Sequence, residues 1–301
     1  MILLLNKTEK EYSPDETITG PSVILADYNE RNAALKSANI EIIPVFTDNE
    51  QKVIRFESGN KYDYISIFVS TPIEPGEKPF LIEIYINQDF LVVIGDNPVI
   101  DRFRDDIATH TMDTLTTQQM LSILFNQVLS RNHDLLDTIE DEIAKLEETA
   151  TMKNPGNHSK DIIALRKKLL ILKRYFEEIY ALFEELEENQ NNIYSRDNLK
   201  AFRVQRGKVN RLLNTVMSLR DYLSQVRETY QNQLDIELNN TMQFFTVVTS
   251  IFLPLTLLVG WYGMNLNMPE LKSDLAYPIV IIASLVYVIL AVIFCKRKGW
   301  F

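Results

Sequence analysis

Apolar positions change their spacing along this chain, and each spacing predicts a different kind of element. In roughly the first hundred residues, short runs rich in β-branched and aromatic side chains predict strands at Ile2–Leu5, Ser22–Ala26, Ile40–Phe46, Val53–Phe56, Tyr64–Ser70, Phe80–Asn87 and Phe90–Gly95. Polar breaks such as Gly59-Asn60, Pro75-Gly76 and Asn87-Gln88-Asp89 separate them. Helices are predicted over Asp27–Ser37 and Val99–His110, so the region reads as a mixed α/β sheet domain. Beyond Thr114 the period becomes helical. Leu121, Leu124, Val128, Leu135, Ile139, Ile143 and Leu146 make one stripe, and Ile162, Leu165, Leu169, Leu172, Phe176, Ile179, Phe183 and Leu186 a second. Pro155 and Gly156 stop the first and Ser159 can cap the next, which predicts an antiparallel helical hairpin.

A third stripe, Val209, Leu212, Val216, Leu219, Leu223, Val226 and Tyr230, has heptad spacing, and no proline or glycine interrupts the chain between Gly207 and Pro254. Stalk and following apolar stretch together predict one helix of about 55 residues, some 80 Å long. Past Tyr230 the apolar residues Leu234, Leu238 and Met242 step by four, so the inward face drifts around the helix. Two uncharged stretches follow, Phe244–Tyr262 and Ala276–Cys295, each about the 20 residues that cross a hydrocarbon core. The first is two-faced. Asn239, Met242, Thr246, Thr249, Leu253, Thr256 and Gly260 share one small or polar side, whereas Phe244, Val248, Ile251, Leu255 and Leu258 share the bulkier one. A pore-lining helix has this asymmetry. Hydroxyls bonded to their own backbone within a packed helix pair would also account for the polar residues. Pro254 frees the carbonyl of Ser250 one turn earlier, or kinks the helix there. Two helices cannot enclose a pore, so a channel requires several subunits.

The membrane-proximal sequence from Met242 through Leu253-Pro254-Leu255-Thr256 to Gly263-Met264-Asn265, followed by Met268-Pro269-Glu270-Leu271 and a basic-aromatic tail, resembles the CorA family of divalent-cation channels. Close resemblance covers roughly the last 65 residues; the rest agrees in layout. The resemblance implies a funnel-shaped homopentamer of α+β class, with the first span inside and the second around it. It assigns Gly263, Met264 and Asn265 to the selectivity filter. Asn265 then supplies an amide ring that meets a hydrated ion, which suits Mg²⁺, an ion reluctant to shed its waters. Gly263 would let the chain turn sharply after the helix. Asn239 and Thr256 become polar rings and Met242 and Leu253 apolar constrictions, while Glu270 and Asp274 form a negative collar at the mouth. Family members are gated by cytoplasmic Mg²⁺ held between subunits by acids. Here the stalk begins Phe202-Arg203-Val204, without the acid many members carry after Phe-Arg, and the nearest upstream acid is Asp197. The regulatory metal site is therefore unknown from sequence.

Composition narrows the partners. The net charge of −10 argues against nucleic acid and fits a protein that handles cations. Hydrophobic residues are 46% of the chain while mean hydropathy is −0.09, so the spans sit on a strongly polar remainder. The lone Cys295 allows no intrachain disulfide. Met1–Asn6 is too short for the apolar core of a signal peptide. Lys296, Arg297 and Lys298 follow the second span, whereas 263–275 holds only Lys272, which places both termini in the cytoplasm and the loop outside. Trp261, Tyr262, Tyr277, Trp300 and Phe301 read as interfacial anchors. The acid run Glu177, Glu178, Glu184, Glu185, Glu187 and Glu188 reads as a solvated helix face. His110, His133 and His158 are scattered, and no phosphate loop, paired cysteines or zinc-protease motif suggests an enzyme.

The predicted organisation is a cytoplasmic α/β domain (1–112), a cytoplasmic helical hairpin (113–206), a stalk helix (207–243), a pore-lining span (244–262), an extracellular loop (263–275), a second span (276–295) and a basic tail (296–301). The expected function is Mg²⁺ uptake across the inner or plasma membrane, with Mg²⁺ as cargo and as regulator, and with Co²⁺ or Ni²⁺ as further cargo. Two alternatives stand beside it. One is a transporter of Zn²⁺ or another divalent ion, against which Met264 speaks. The other is a membrane-anchored coiled-coil interaction protein, which leaves the polar face of the span unexplained.

Overall fold

A computed structural model of the chain describes residues 2–4, 9–10, 21–41, 54–69, 80–95, 98–109, 116–130, 132–152, 156–264, 269 and 275–299. The chain divides into two compact units, Met1–Lys145 with Ser159–Gln225, and Leu146–His158 with Val226–Phe301.

The first unit is built on a seven-stranded sheet, β1 (Ile2–Leu4), β2 (Glu9–Lys10), β3 (Ser22–Ala26), β4 (Arg55–Ser58), β5 (Asp63–Val69), β6 (Phe80–Ile86) and β7 (Phe90–Ile94). Its order is β2-β1-β3-β7-β6-β5-β4. The central β3–β7 pair is parallel, in register from Ser22 opposite Phe90 to Ala26 opposite Ile94, and its neighbours are antiparallel. Every residue of β3 and β7 is buried, which is why Ser-Val-Ile-Leu-Ala and Phe-Leu-Val-Val-Ile do not alternate: both sheet faces are covered. Edge strand β4 stays partly exposed. The β6–β7 hairpin turns at Asn87, whose side-chain oxygen accepts the amides of Asp89 and Phe90 at 2.9 and 2.7 Å.

One sheet face packs Ile24, Ala26, Val92, Ile94 and Tyr85 against Ala34, Leu35 and Ala38 of helix α1 (Arg31–Ser37) and its end. A single 3-10 turn at Tyr28–Glu30 precedes α1, so the helix expected from Asp27 starts later. Ile40 corrects the strand expected there. Asn39 takes a left-handed φ of 55°, and Ile40 N–H reaches back to the Leu35 carbonyl at 2.9 Å, so this apolar residue closes α1 and joins the core. Residues 42–46 lie outside the described residues.

Helix α2 (Pro98–Thr109) follows, then α3 (Thr117–Ser130) beside β7 and α4 (Asn132–Ala150). Leu136, not Leu135, takes the core position in α4. The phase is set where the buried Asn132 side chain donates to the Val128 and Leu129 carbonyls, both at 3.2 Å. Helix α5 (Ser159–Glu188) lies beside β4, and its Tyr175 hydroxyl donates to the Phe68 carbonyl at 3.0 Å. Lys168 on α5 pairs with Glu142 on α4 at 3.0 Å, across the predicted hairpin.

Helix α6 runs from Arg196 to Tyr262, 67 residues, or about 100 Å. It starts at Arg196 rather than Gly207, because Ser195 caps it by accepting the Asn198 amide at 3.3 Å. Gly207 is helical, and beyond its own helix backbone nothing lies within 4 Å of where a Cβ would stand. Phe202 anchors the early turns, fully buried among Phe125, Phe183 and Tyr194. Val209, Leu212, Val216, Leu219 and Leu223 continue that buried stripe. In the second unit Tyr230 donates to the Gly156 carbonyl at 3.0 Å, with the His158 ring edge-on at 6.1 Å. Helix α7 spans Ala276–Arg297, and Gly299, at a φ of 71°, lies just beyond its end.

Candidate functional site

The apolar stretches of α6 and α7 have mean hydropathies of 1.9 and 2.9, and in each only 6% is buried. A soluble core helix of that hydropathy would be mostly buried, so both suit a hydrocarbon environment. On α6 the small or polar side is open: Asn239, Thr246, Thr249, Thr256 and Gly260 are exposed, as are Met242 at 61% and Leu253 at 66%. Val248, Ile251, Leu255 and Leu258 on the other side are half-buried and Val247 is fully buried. Phe244, expected on that side, is exposed.

Each Ser and Thr hydroxyl on this stretch donates to its own helix, Thr246 to Met242 at 2.8 Å, Thr249 to Phe245, Ser250 to Thr246 at 2.7 Å and Thr256 to Phe252 at 2.8 Å. Back-bonding of this kind supplies the donors' partners internally. It leaves oxygen lone pairs, and no free hydroxyl hydrogen, facing outward. The Ser250 carbonyl, freed by Pro254, accepts the Tyr287 hydroxyl of α7 at 2.9 Å. On α7 the residues turned away from solvent are Ala276, Val280, Ser284, Tyr287, Val288, Ala291 and Cys295, along one side of the helix. Cys295 is thus a small buried packing residue.

Gly263 lies at the end of α6, its amide still bonding the Val259 carbonyl at 2.9 Å. The chain turns at Gly263 and bends at Met264, but Gly263 does not take a left-handed φ, so this turn needs no conformation reserved for glycine. The smallness of Gly263 matters for another reason: a Cβ would stand 3.0 Å from the Val259 oxygen. Met264 is half-exposed beside it. Asn265, Glu270 and Asp274 lie outside the described residues.

In the first unit, the acid run of α5 faces a basic side of α6. Arg206 reaches Glu184 and Glu187 at 3.3 and 3.2 Å, and Arg203 reaches Glu187 at 3.4 Å. Lys173 pairs with Glu177 within α5 at 3.1 Å. Partial burial pushes the Glu185 carboxyl up, helped by the nearby Glu188 charge, and burial also raises Glu178. Val204 is an exposed apolar side chain, and Asp197 pairs with Lys200 at 3.0 Å. His133 is exposed and His110 lies outside the described residues. Among the described residues no group of three His, Cys, Asp or Glu is placed to hold a metal.

Two buried polar clusters went unforeseen. On the α1 face of the sheet, Arg31 pairs with Glu83 at 3.1 Å and donates to the Tyr85 hydroxyl at 2.6 Å, while Tyr85 donates to Glu83 at 3.2 Å. Burial, then the Glu83 charge, pushes the nearby Tyr28 hydroxyl up to about 12. An acid inside the apolar run Phe-Leu-Ile-Glu-Ile-Tyr-Ile was the signal that a cation must lie opposite. The second cluster surrounds Asp63. Its Oδ1 accepts Asn191 and Ser58 at 2.8 and 3.0 Å, and burial pushes the carboxyl up against the opposing pull of Tyr194, Asn191 and Ser58. Asn191 also borders a cleft of about 940 Å³ lined by Asn39, Asn60, Lys61, Asn87 and Asp89. These side chains do not converge on one kind of charge.

The family described as CorA-like Mg²⁺ transporter protein matches residues 29–297. The chain is 28% identical over 174 residues to the cobalt/magnesium transport protein CorA of Thermotoga maritima, covering 58% of this chain and 48% of that one. It is 28% identical over 184 residues to the magnesium transport protein CorA of Campylobacter jejuni, covering 59% and 55%. The chain spans about half the length of the curated relatives it matches. The complete CorA structure from Methanocaldococcus jannaschii superposes with a TM-score of 0.80 at 20% identity, covering 98% of this chain and 95% of that one, which is a match of fold. With the family match running over both apolar helices as well as most of the sheet domain, the chain belongs to the CorA-like Mg²⁺ transporter family.

Proposed function

We propose that the chain assembles as a homopentamer that conducts Mg²⁺ into the cell across the inner or plasma membrane, with Co²⁺ or Ni²⁺ as further cargo. The α6 helices line the pore with Asn239, Met242, Thr246, Thr249, Leu253, Thr256 and Gly260, and α7 surrounds them. In this reading the cytoplasmic α/β domain is 1–112, the hairpin 113–206, the stalk 207–243, the spans 244–262 and 276–295, the outer loop 263–275 and the tail 296–301. The exposed basic residues Lys296, Arg297 and Lys298 hold the C-terminus on the cytoplasmic side.

The carrying observation is the chemistry of the open α6 face. A hydrated Mg²⁺ presents water hydrogens outward, so it needs acceptors, and it gains little from tight direct ligands because it dehydrates reluctantly. Thr246, Thr249 and Thr256, their hydrogens already donated to Met242, Phe245 and Phe252, offer acceptor lone pairs alone. Asn265, with Gly263 and Met264 beside it, forms the outer amide ring that selects the hydrated ion, under the negative collar of Glu270 and Asp274. Met242 and Leu253 form apolar rings that close the pore by dewetting.

Proteoliposomes containing only this protein test the reading, with Mg²⁺, Co²⁺, Ni²⁺ and Zn²⁺ flux compared. Asn265→Ala should abolish Mg²⁺ uptake while the oligomer stays intact by size-exclusion chromatography. Normal uptake would remove Asn265 from the filter, and Zn²⁺ flux without Mg²⁺ flux would favour the zinc alternative.

A further inference from the structure

Proline at 254 has no amide hydrogen, so the Ser250 carbonyl lacks the partner that interior carbonyls of an α-helix have. In a hydrocarbon layer such a group must find a donor elsewhere, since water is absent and an unsatisfied carbonyl is costly. Ser250 does not satisfy it locally: its own hydroxyl donates to the Thr246 carbonyl at 2.7 Å. The donor comes from the other helix. Tyr287 Oη lies 2.9 Å from the Ser250 oxygen, a separation of 37 residues in sequence. Tyr287 also stands apart from its row, because the other inward positions of α7 are Ala276, Val280, Ser284, Val288, Ala291 and Cys295, all smaller. A tyrosine there reaches across to α6 where its neighbours let the helices approach.

We propose that Tyr287 is a positioning residue for the pore: its hydroxyl replaces the amide that Pro254 lacks and holds α6 in one conformation at the turn carrying Leu253. This rests on the reading of α6 as the pore helix. Ser250, Leu253 and Pro254 occupy the same turn, so the bond that fixes the Ser250 carbonyl also fixes how the Leu253 side chain is presented. When that bond is lost, the turn gains freedom to bend at the proline, and the apolar ring at Leu253 is held less firmly. Closure then weakens.

The test is a double-mutant cycle in full-length protein, read by Mg²⁺ flux in proteoliposomes under closing Mg²⁺. Tyr287→Phe keeps the ring and deletes the hydroxyl. It should raise residual flux by roughly three- to tenfold, the equivalent of one interhelical hydrogen bond in a membrane. Pro254→Ala restores an amide that bonds Ser250 directly, so adding Tyr287→Phe to it should change flux no further. Isotope-edited infrared spectroscopy of a ¹³C-labelled serine carbonyl at 250 gives a readout independent of transport, and its band should move to higher frequency in Tyr287→Phe alone. An unmoved band, or an equal effect of Tyr287→Phe in both backgrounds, would overturn the proposal while wild-type flux left the pore reading standing. Wild-type vesicles impermeable to Mg²⁺ would sink the pore reading, and the positioning role with it, even if the band moved.

Discussion

In the sheet domain, buried polar groups find partners far away in sequence. Arg31 meets Glu83, and Asn191 reaches Gly59, Tyr62 and Asp63. Along the apolar part of α6 the hydroxyls instead turn back on the preceding turn of the same helix. The sheet domain folds by pulling distant segments together around a core that excludes water, so its polar side chains are committed to the fold. The apolar helices need little beyond their own backbone bonds to be stable in lipid. Their outward side chains, Leu253 and Met242 among them, are not committed to the fold of the single chain, which leaves them available for the proposed transport role. Substitutions in the two regions should therefore fail differently, the first in stability and the second in flux.

The largest effect is expected at Phe202, where α6 begins. It is fully buried among three aromatic rings, and Phe202→Ala should cost about 3–5 kcal/mol through lost contacts and the cavity left behind. Chemical denaturation followed by circular dichroism would show the loss, and an unchanged midpoint would break the contrast between the regions. Leu253→Asn should leave the fold intact, since Leu253 is 66% exposed in the single chain, yet raise basal Mg²⁺ flux because dewetting requires apolar walls. Should flux stay at wild-type level in both Leu253→Asn and Met242→Asn, the gate lies elsewhere.

The same contrast governs what could be read from sequence. Both apolar helices were legible because lipid imposes length and hydropathy directly on the chain. The central strands were legible as unbroken β-branched runs. Ile40 was misread because an apolar residue that closes a helix after a left-handed asparagine looks, by composition, like the start of a strand. Gly207 was taken as a boundary, yet the roughly 1 kcal/mol cost of a helical glycine is small beside the buried residues Phe202 and Val209 that flank it. The free carbonyl at Ser250 followed from Pro254 alone, but its partner did not. Tyr287 depends on the register between two helices, which no local pattern encodes. The Arg31–Glu83 pair was half-visible, as an acid in a buried strand whose counter-charge lay 52 positions away.

A smaller effect is expected at Val204, exposed on α6 in the first unit. With no acid there, bound cations have no repulsion to relieve at that position, so millimolar cytoplasmic Mg²⁺ should close the proposed channel less sharply than one with an acid at that place. Val204→Asp should steepen the closure and lower the half-closing Mg²⁺ concentration by about two- to fivefold, as suits a solvent-screened charge. Steep closure of the unmodified channel, unaltered by Val204→Asp, would assign the sensor to other acids.

The smallest effect belongs to Asp63, and it probes whether the committed polar groups of the sheet domain need their charge. Burial raises the Asp63 carboxyl above its usual 3.8, so the folded protein holds that proton more tightly than the unfolded chain does. Protonation then favours the fold. This contribution is complete below the unfolded pKa and is lost as pH rises through the folded one, leaving the ionised group a net cost at neutral pH. Asp63→Asn keeps an oxygen to accept from Ser58 and Asn191 without carrying the charge. Thermal melts should show the variant more stable than wild type by roughly 2 °C at pH 7, with the difference shrinking toward pH 4. A variant less stable at pH 7 would mean that the carboxylate's bonds to Asn191 and Ser58 outweigh its desolvation. The sheet domain would then depend on charge at this position.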